Sequence, residues 1–140
     1  MFIILLKFLH YLAIVFSGGV LVGGGLINSI YTKANAIPDA NISKILKILG
    51  YIGLSSLVIL WISGMLLANI IYGGFSINSA FTIKIICAGF LLILSFIVNI
   101  HVYNSSKKKQ PPNKIIIKIS TMSARGLIII VLIFAAIAFN

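Results

Sequence analysis

The stretch LLKFLHYLAIVFSGGVLVGGG, from Leu5 to Gly25, decides the fold because it stays apolar for the length of a bilayer crossing. A helix of about 20 apolar residues crosses a hydrocarbon core of about 30 Å. Two features go beyond a simple lipid anchor: the imidazole of His10, and five glycines within the eight residues 18–25. They predict a functional position that faces inward and a helix face without bulky side chains.

The composition of the chain also indicates a membrane protein. Of the 140 residues, 61% are hydrophobic and 9% are charged, and the mean hydropathy is +1.20. Soluble domains carry about a quarter charged residues, so lipid must solvate most of this exterior. The net charge of +10 does not indicate nucleic-acid binding, because the cations lie between apolar runs rather than on one basic face.

Four apolar segments alternate with polar, proline- or glycine-containing breaks. The predicted spans are residues 3–31, 47–73, 80–104 and 115–139. The breaks read TKANAIPDANISK (Thr32–Lys44), YGGFSINSA (Tyr72–Ala80) and YNSSKKKQPPNK (Tyr103–Lys114). Short connections make sequential spans antiparallel neighbours, so the sequence predicts an all-α, up-down-up-down four-helix bundle that forms one transmembrane domain over residues 1–140.

The basic residues predict an orientation in the membrane. Nine Lys and Arg residues lie in or beside the first and third connections, whereas only Lys7 and Lys84 lie on the opposite side. Because cytoplasmic loops carry the excess of Lys and Arg, we expect these two loops in the cytoplasm and both termini outside, in a bacterial inner membrane. The bilayer is the expected partner, and a homo-oligomer or a larger membrane complex stays open.

One face of the first span combines polar and small residues. At about 100° per residue, His10, Ser17, Gly24 and Asn28 fall on one face of the helix, each within about 20° of its neighbour in angle and all within an arc of about 40°. This face is predicted to point toward the other helices, since polar groups at membrane depth avoid lipid. The glycines allow two interpretations that do not exclude each other: close contact between helix backbones, or a flat wall for a planar cofactor.

The third span carries Lys84 and His101 at opposite ends. They are 17 residues apart, which is about 25 Å of helix, so they cannot form one small site. Because spans 1 and 3 run in the same direction, Lys84 is expected near the depth of His10, and His101 near that of Asn28 and Arg125. Lys84 can instead be a snorkelling lysine at a helix start, and His101 an interfacial residue.

Arg125 is the most informative cation. The apolar run after it, residues 126–139, has 14 residues and covers about 21 Å, too little to cross alone. Span 4 must therefore start several residues earlier, which puts Arg125 one to two turns inside the membrane. It either snorkels to the surface or pairs with an anion. Since there is no glutamate and Asp39 lies in a loop, that anion would be a ligand carboxylate, a phosphate or a lipid head group.

The spans contain no carboxylate, which excludes carboxylate acid–base chemistry and disfavours a proton pump. No Ser-His-Asp set, P-loop or HExxH motif is present, and no catalytic residue is identified. An imidazole, membrane cations and a glycine-lined helix face together favour a b-type haem or porphyrin as ligand. His10 would be the axial ligand, and Lys84 or Arg125 would pair with the propionates. The candidate cofactor-binding residues are His10, Lys84, His101, Arg125 and Gly24.

Three alternatives remain for His10 and for the chain. Copper would use His10 as metal ligand with Met65, Met122 or the lone Cys87 as soft ligands. His10 can also be a hydrogen-bonded interior histidine without a ligand. In the third alternative the chain is a non-catalytic scaffold subunit whose glycine-lined faces contact other proteins.

Three segments resemble the CopD-like superfamily, which includes the HemJ-type protoporphyrinogen oxidases. LKFLHYLAIVFSGGVLVGG (Leu6–Gly24) resembles the first span of that family, WISGMLLANIIYG (Trp61–Gly73) the end of the second, and FTIKIICAGFLLIL (Phe81–Leu94) the third. The resemblance implies a four-helix membrane protein that contacts b-type haem or porphyrin through His10. It also implies an oxidoreductase that acts on protoporphyrinogen or transfers electrons.

Overall fold

The computed structural model of the chain describes residues 1–74, 79–108, 110 and 112–138. These residues form four helices: α1 (Phe2–Lys33), α2 (Ala40–Tyr72), α3 (Ser79–Lys107) and α4 (Lys114–Ala138). Each helix is long and apolar enough to cross a membrane, with a mean hydropathy of 1.9 to 2.5 in its span. The predicted all-α class with four spans is confirmed, and it is consistent with an integral membrane protein.

The helices are longer than the predicted spans at several ends. The largest difference is at α2, which begins at Ala40 rather than at residue 47. Three parts of the expected pattern lie outside the described residues. They are Phe139, at the end of the fourth span, residues 75–78 of the turn between spans 2 and 3, and residues 109 and 111 of the connection between spans 3 and 4.

The early start of α2 is explained by the only acidic residue of the chain. Oδ1 of Asp39 accepts a hydrogen bond from the backbone N–H of Ile42 at 2.8 Å, which satisfies a donor that the first turn of a helix otherwise leaves open. The sequence becomes continuously apolar only after Lys44 and Lys47. A prediction from hydropathy therefore places the start of α2 too late. The one carboxylate is therefore a helix cap.

Two other helix ends follow from local chemistry. α2 ends at Tyr72 and is capped by Gly73, which takes a left-handed conformation with φ 73° and donates its N–H to the Asn69 carbonyl. Glycine adopts this conformation without a steric cost. At the start of α4, Oδ1 of Asn113 accepts the N–H of Ile115 at 2.9 Å, directly after the double proline.

Contacts between side chains show that consecutive helices are antiparallel. His10, near the start of α1, meets Ser63 near the end of α2, and farther along Val20 packs against Gly53. A Cβ added at Gly53 would lie 2.9 Å from Cγ1 of Val20, so glycine is needed for this approach. The α1–α2 contact is the most extensive in the bundle.

The remaining contacts complete the up-down-up-down order. Asn99 of α3 packs against Gly50 of α2. Phe134, near the end of α4, packs against the buried cluster that includes Phe81 at the start of α3. α3 and α4 contact each other extensively, whereas the contact between α1 and α4 is small. The bundle thus consists of two helical hairpins, α1–α2 and α3–α4.

The interior of the bundle is made mostly of small residues. Three of the buried residues are serines, and each hydroxyl donates to a carbonyl of its own helix. Small residues let helices approach closely in lipid, where no hydrophobic force drives them together. The buried residues are Leu6, Ala13, Ser17, Gly25, Gly53, Ser56, Ser63, Ala68, Ala80, Phe81 and Leu91. Most large aliphatic side chains lie on the outside, as lipid requires.

Candidate functional site

His10 faces α2 rather than lipid. Its Nδ1 lies 2.9 Å from Oγ of Ser63. The ring can come this close because the next residue of α2 has no side chain: a Cβ at Gly64 would lie 3.3 Å from Cε1 of His10. The inward direction expected from the polar face of α1 is therefore observed.

The hydrogen bonds around Ser63 define the state of the imidazole. Oγ of Ser63 also lies 3.2 Å from the carbonyl oxygen of Leu60, which can only accept. Because a hydroxyl has one proton, both bonds form together only if Ser63 donates to Leu60 and Nδ1–H of His10 donates to Ser63. In the neutral ring Nε2 then carries the lone pair.

His10 lines a small cavity at this end of the bundle, which we call the His10–Lys84 cavity. Its volume is about 30 Å³, enough for one or two water molecules, since one requires about 10–15 Å³ on this scale. Side chains of all four helices line it. They are His10 from α1; Leu60, Trp61, Gly64 and Met65 from α2; Phe81, Lys84, Ile85 and Ala88 from α3; and Val131 from α4.

Lys84 brings a positive charge to the same cavity as His10. Its Nζ lies 5.7 Å from the centroid of the Phe81 ring, within range of a cation–π contact. Phe81 is only 2% exposed and packs against Ala68 and Ala80, so this ring is held firmly. The expectation that Lys84 lies at the depth of His10 is confirmed.

Arg125 lies elsewhere, between α1 and α4. Its guanidinium occupies the space where a Cβ of Gly25 would be. Arg125 is eleven residues after the start of α4, and it is exposed overall. The contact shows why Gly25 is buried, and it places Arg125 far from the His10–Lys84 cavity.

The other two predicted site residues are also separate from the cavity. Nε2 of His101 accepts the backbone N–H of Asn113 at 3.1 Å, so it organises the connection into α4. At Gly24, no other atom among the described residues lies within 4 Å of the Cβ position. The structure therefore brings together His10 and Lys84 but leaves His101, Arg125 and Gly24 apart from them.

The possible copper ligands are only partly brought together. Met65 lines the cavity beside His10, whereas Cys87 and Met122 are not among the residues that line it. Within the described ranges no group of three or more His, Cys, Asp and Glu side chains is close enough to hold a metal ion. The nearby ammonium of Lys84 also disfavours a cation.

Sequence reasoning missed the contribution of α2 to the site. Ser63 and Gly64, which position His10, stand in an apolar run without any motif that links them to position 10. Only the antiparallel register of α1 and α2 pairs these positions, and a register shift of one turn would have paired others. Comparisons with protein-family models, curated proteins and solved structures find no match for this chain.

Proposed function

We propose that this chain is an integral membrane protein that binds the carboxylate end of a lipid-soluble molecule in the His10–Lys84 cavity. The observation that carries the proposal is the meeting of two ionisable side chains from different helices at one cavity. Ionisable groups at membrane depth are costly, and they usually mark a binding site or a transport pathway.

The charge of the cavity favours an anion. Lys84 contributes a formal positive charge, and His10 adds a second one when protonated. The single acidic side chain of the sequence, Asp39, caps α2 at the other end of the bundle. A carboxylate oxygen can accept from the ammonium of Lys84 in a charge-assisted hydrogen bond, which is stronger than a bond between neutral groups.

The size of the cavity limits what can enter. A volume of about 30 Å³ suits a carboxylate that replaces one or two water molecules, whereas pockets that enclose a drug-sized ligand measure about 300–1,000 Å³. A haem whose iron was ligated by His10 would have to place its macrocycle here, and the residues present do not fit it. Axial ligation is therefore not part of the proposal.

A porphyrin can nevertheless present a propionate to the cavity while its ring stays outside. Binding through a propionate is compatible with a porphyrin ligand, which the resemblance to the CopD-like superfamily implies. Trp61 is exposed and His10 is only partly buried, so the cavity lies near the outer surface of the bundle. Fatty acids offer the same carboxylate chemistry, and experiment must distinguish the two sources.

The test is a titration of the full chain in detergent micelles with protoporphyrin IX, haem and palmitate. Protoporphyrin is followed by fluorescence, haem by its Soret absorption, and palmitate by competition with protoporphyrin. Loss of the charge-assisted bond in Lys84→Met should weaken binding about tenfold or more. Lys7→Met is the matched control, because Lys7 is an exposed lysine at the same end of the bundle.

The outcomes separate the ligand sources. Competition by palmitate supports recognition of the carboxylate alone, and tight binding of protoporphyrin without competition supports a tetrapyrrole ligand. An iron-dependent Soret shift that is lost in His10→Ala but kept in Lys84→Met would contradict the proposal, since it indicates axial ligation. Equal affinity in Lys84→Met and Lys7→Met would also contradict it.

The distribution of basic residues adds an orientation to the proposal. Because nine of eleven Lys and Arg residues lie in or beside the first and third connections, those connections lie in the cytoplasm and both termini lie outside. The cavity then belongs to the outer half of the membrane. Labelling of a cysteine introduced at residue 36 with a membrane-impermeant reagent should require permeabilised cells.

A second candidate function is that of a scaffold subunit in a membrane complex. It is favoured by four glycines of α1, at which no described residue approaches within 4 Å of the Cβ position: Gly18, Gly19, Gly23 and Gly24. Open glycines let a helix of another chain pack closely. Gly19→Leu should then abolish a cross-linked complex while leaving ligand titrations unchanged; if no complex forms with the unmodified chain, this candidate fails.

A further inference from the structure

A second cavity opens between α2 and α3 at the opposite end of the bundle. We call it the α2–α3 groove; it measures about 250 Å³ and is lined by Tyr51, Leu54, Phe96, Asn99, Ile100 and Tyr103. Phe96 and Tyr103 are 53% and 50% exposed, so the groove faces outward. It is much larger than the His10–Lys84 cavity, and it is apolar except for one amide and two phenol groups.

The depth of the groove depends on a missing side chain. A Cβ at Gly50 would lie 2.8 Å from Oδ1 of Asn99, so the amide rests against α2 where any other residue would displace it. Nδ2 of Asn99 donates to the Ser95 carbonyl at 2.9 Å, which satisfies the amide within α3. Asn99 is thus held at the floor of the groove.

A lysine stands at the rim of the groove. Nζ of Lys47 lies 5.4 Å from the centroid of the Tyr103 ring and 3.3 Å from Oγ of Ser106. Both contacts are with neutral groups, so they position the ammonium without neutralising it. Tyrosine and lysine at one level near a helix end are typical of the boundary between hydrocarbon and head groups.

We propose that the α2–α3 groove binds one anionic phospholipid, with an acyl chain along Leu54, Phe96 and Ile100 and the phosphate at Lys47. The apolar walls, which open outward, suit the acyl chain, and the ammonium of Lys47 at the rim suits the negative head group. This site is independent of the His10–Lys84 cavity and of the function proposed for it.

Native mass spectrometry of the full chain in detergent tests the proposal. The probes are phosphatidylglycerol and phosphatidylcholine with identical acyl chains. We expect one phosphatidylglycerol to be retained, and Lys47→Gln to weaken its binding about fivefold, the effect of one basic residue at a membrane surface. The matched control is Lys44→Gln, one turn earlier on α2 and exposed.

A second variant tests the groove without changing charge. Leu54→Trp fills the apolar part and should reduce retention of phosphatidylglycerol, with circular dichroism to confirm that the variant is folded. Equal retention of the two lipids would overturn the proposal, because it indicates an unspecific lipid annulus. Equal losses in Lys47→Gln and Lys44→Gln would overturn it as well, because they indicate general attraction to the basic loops.

Discussion

The two ends of the bundle use lysine in opposite ways. At the end that carries the chain termini, Lys84 lies beside a cavity of about 30 Å³ together with an inward-facing histidine. At the end that carries the first and third connections, which we call the loop end, Lys47 lies at the rim of an outward-facing groove of about 250 Å³, against the Tyr103 ring.

The difference follows from what stands on the neighbouring helix. Beside His10, α2 offers Gly64 and a serine hydroxyl, so a polar ring can enter the bundle. At the other end, the room left by Gly50 is taken by Asn99, and Lys47 stays at the rim. The missing side chain thus admits an ionisable ring at one end and a neutral amide at the other.

The largest effect is expected from breaking the contact that holds α1 against α2 between the two ends. Gly53→Val adds atoms where Val20 already lies, and overpacking of this kind costs about 2 kcal/mol. Gly19→Val changes helix propensity in the same way but meets no described atom within 4 Å. Unfolding in mixed micelles should show a large loss of stability for Gly53→Val alone. Equal losses would mean that the α1–α2 contact is not as close as observed.

At the loop end, the helix cap of α2 can be removed separately. Asp39→Ala leaves the N–H of Ile42 without its acceptor and should lower the free energy of unfolding by about 1 kcal/mol. Asp39→Asn is the control, because asparagine caps as well as aspartate. If the free energy of unfolding falls equally in both variants, the negative charge of Asp39 stabilises the helix rather than its hydrogen bond. Ligand binding at the His10–Lys84 cavity should be unchanged in both.

At the terminal end, the smallest effect on stability is expected from Ser63→Ala. Hydrogen bonds between membrane helices contribute about 0.6 kcal/mol on average, so the loss should be of that size. The ¹⁵N spectrum of His10 should change more clearly, because Nδ1–H loses its acceptor and the tautomer is no longer fixed. Ser55→Ala, an exposed serine on the same helix, should leave both measurements unchanged. A His10 spectrum that is insensitive to Ser63 would remove the partner assigned to the ring.

The fold was largely predictable, because four apolar runs separated by polar breaks allow few arrangements. The start of α2 was not, since Asp39 extends that helix beyond its apolar part. Of the candidate site, the meeting of His10 and Lys84 followed from the direction of spans 1 and 3. The contribution of Ser63 did not, because helix register depends on packing that no single sequence shows. Arg125 was expected to meet a ligand or the membrane surface, and its contact with Gly25 was not foreseen.

The most direct test is a magnetic-resonance distance measurement on the chain with bound palmitate. The palmitate carries ¹³C at its carboxyl carbon, and the histidine and lysine side chains carry ¹⁵N, with Lys84→Met and Lys7→Met used for assignment. We expect the carboxyl carbon to dephase the Lys84 ammonium and the His10 ring, and no other labelled side chain. Dephasing confined to Lys7 or to lysines of the loop end, or none at all, would contradict a carboxylate site between His10 and Lys84.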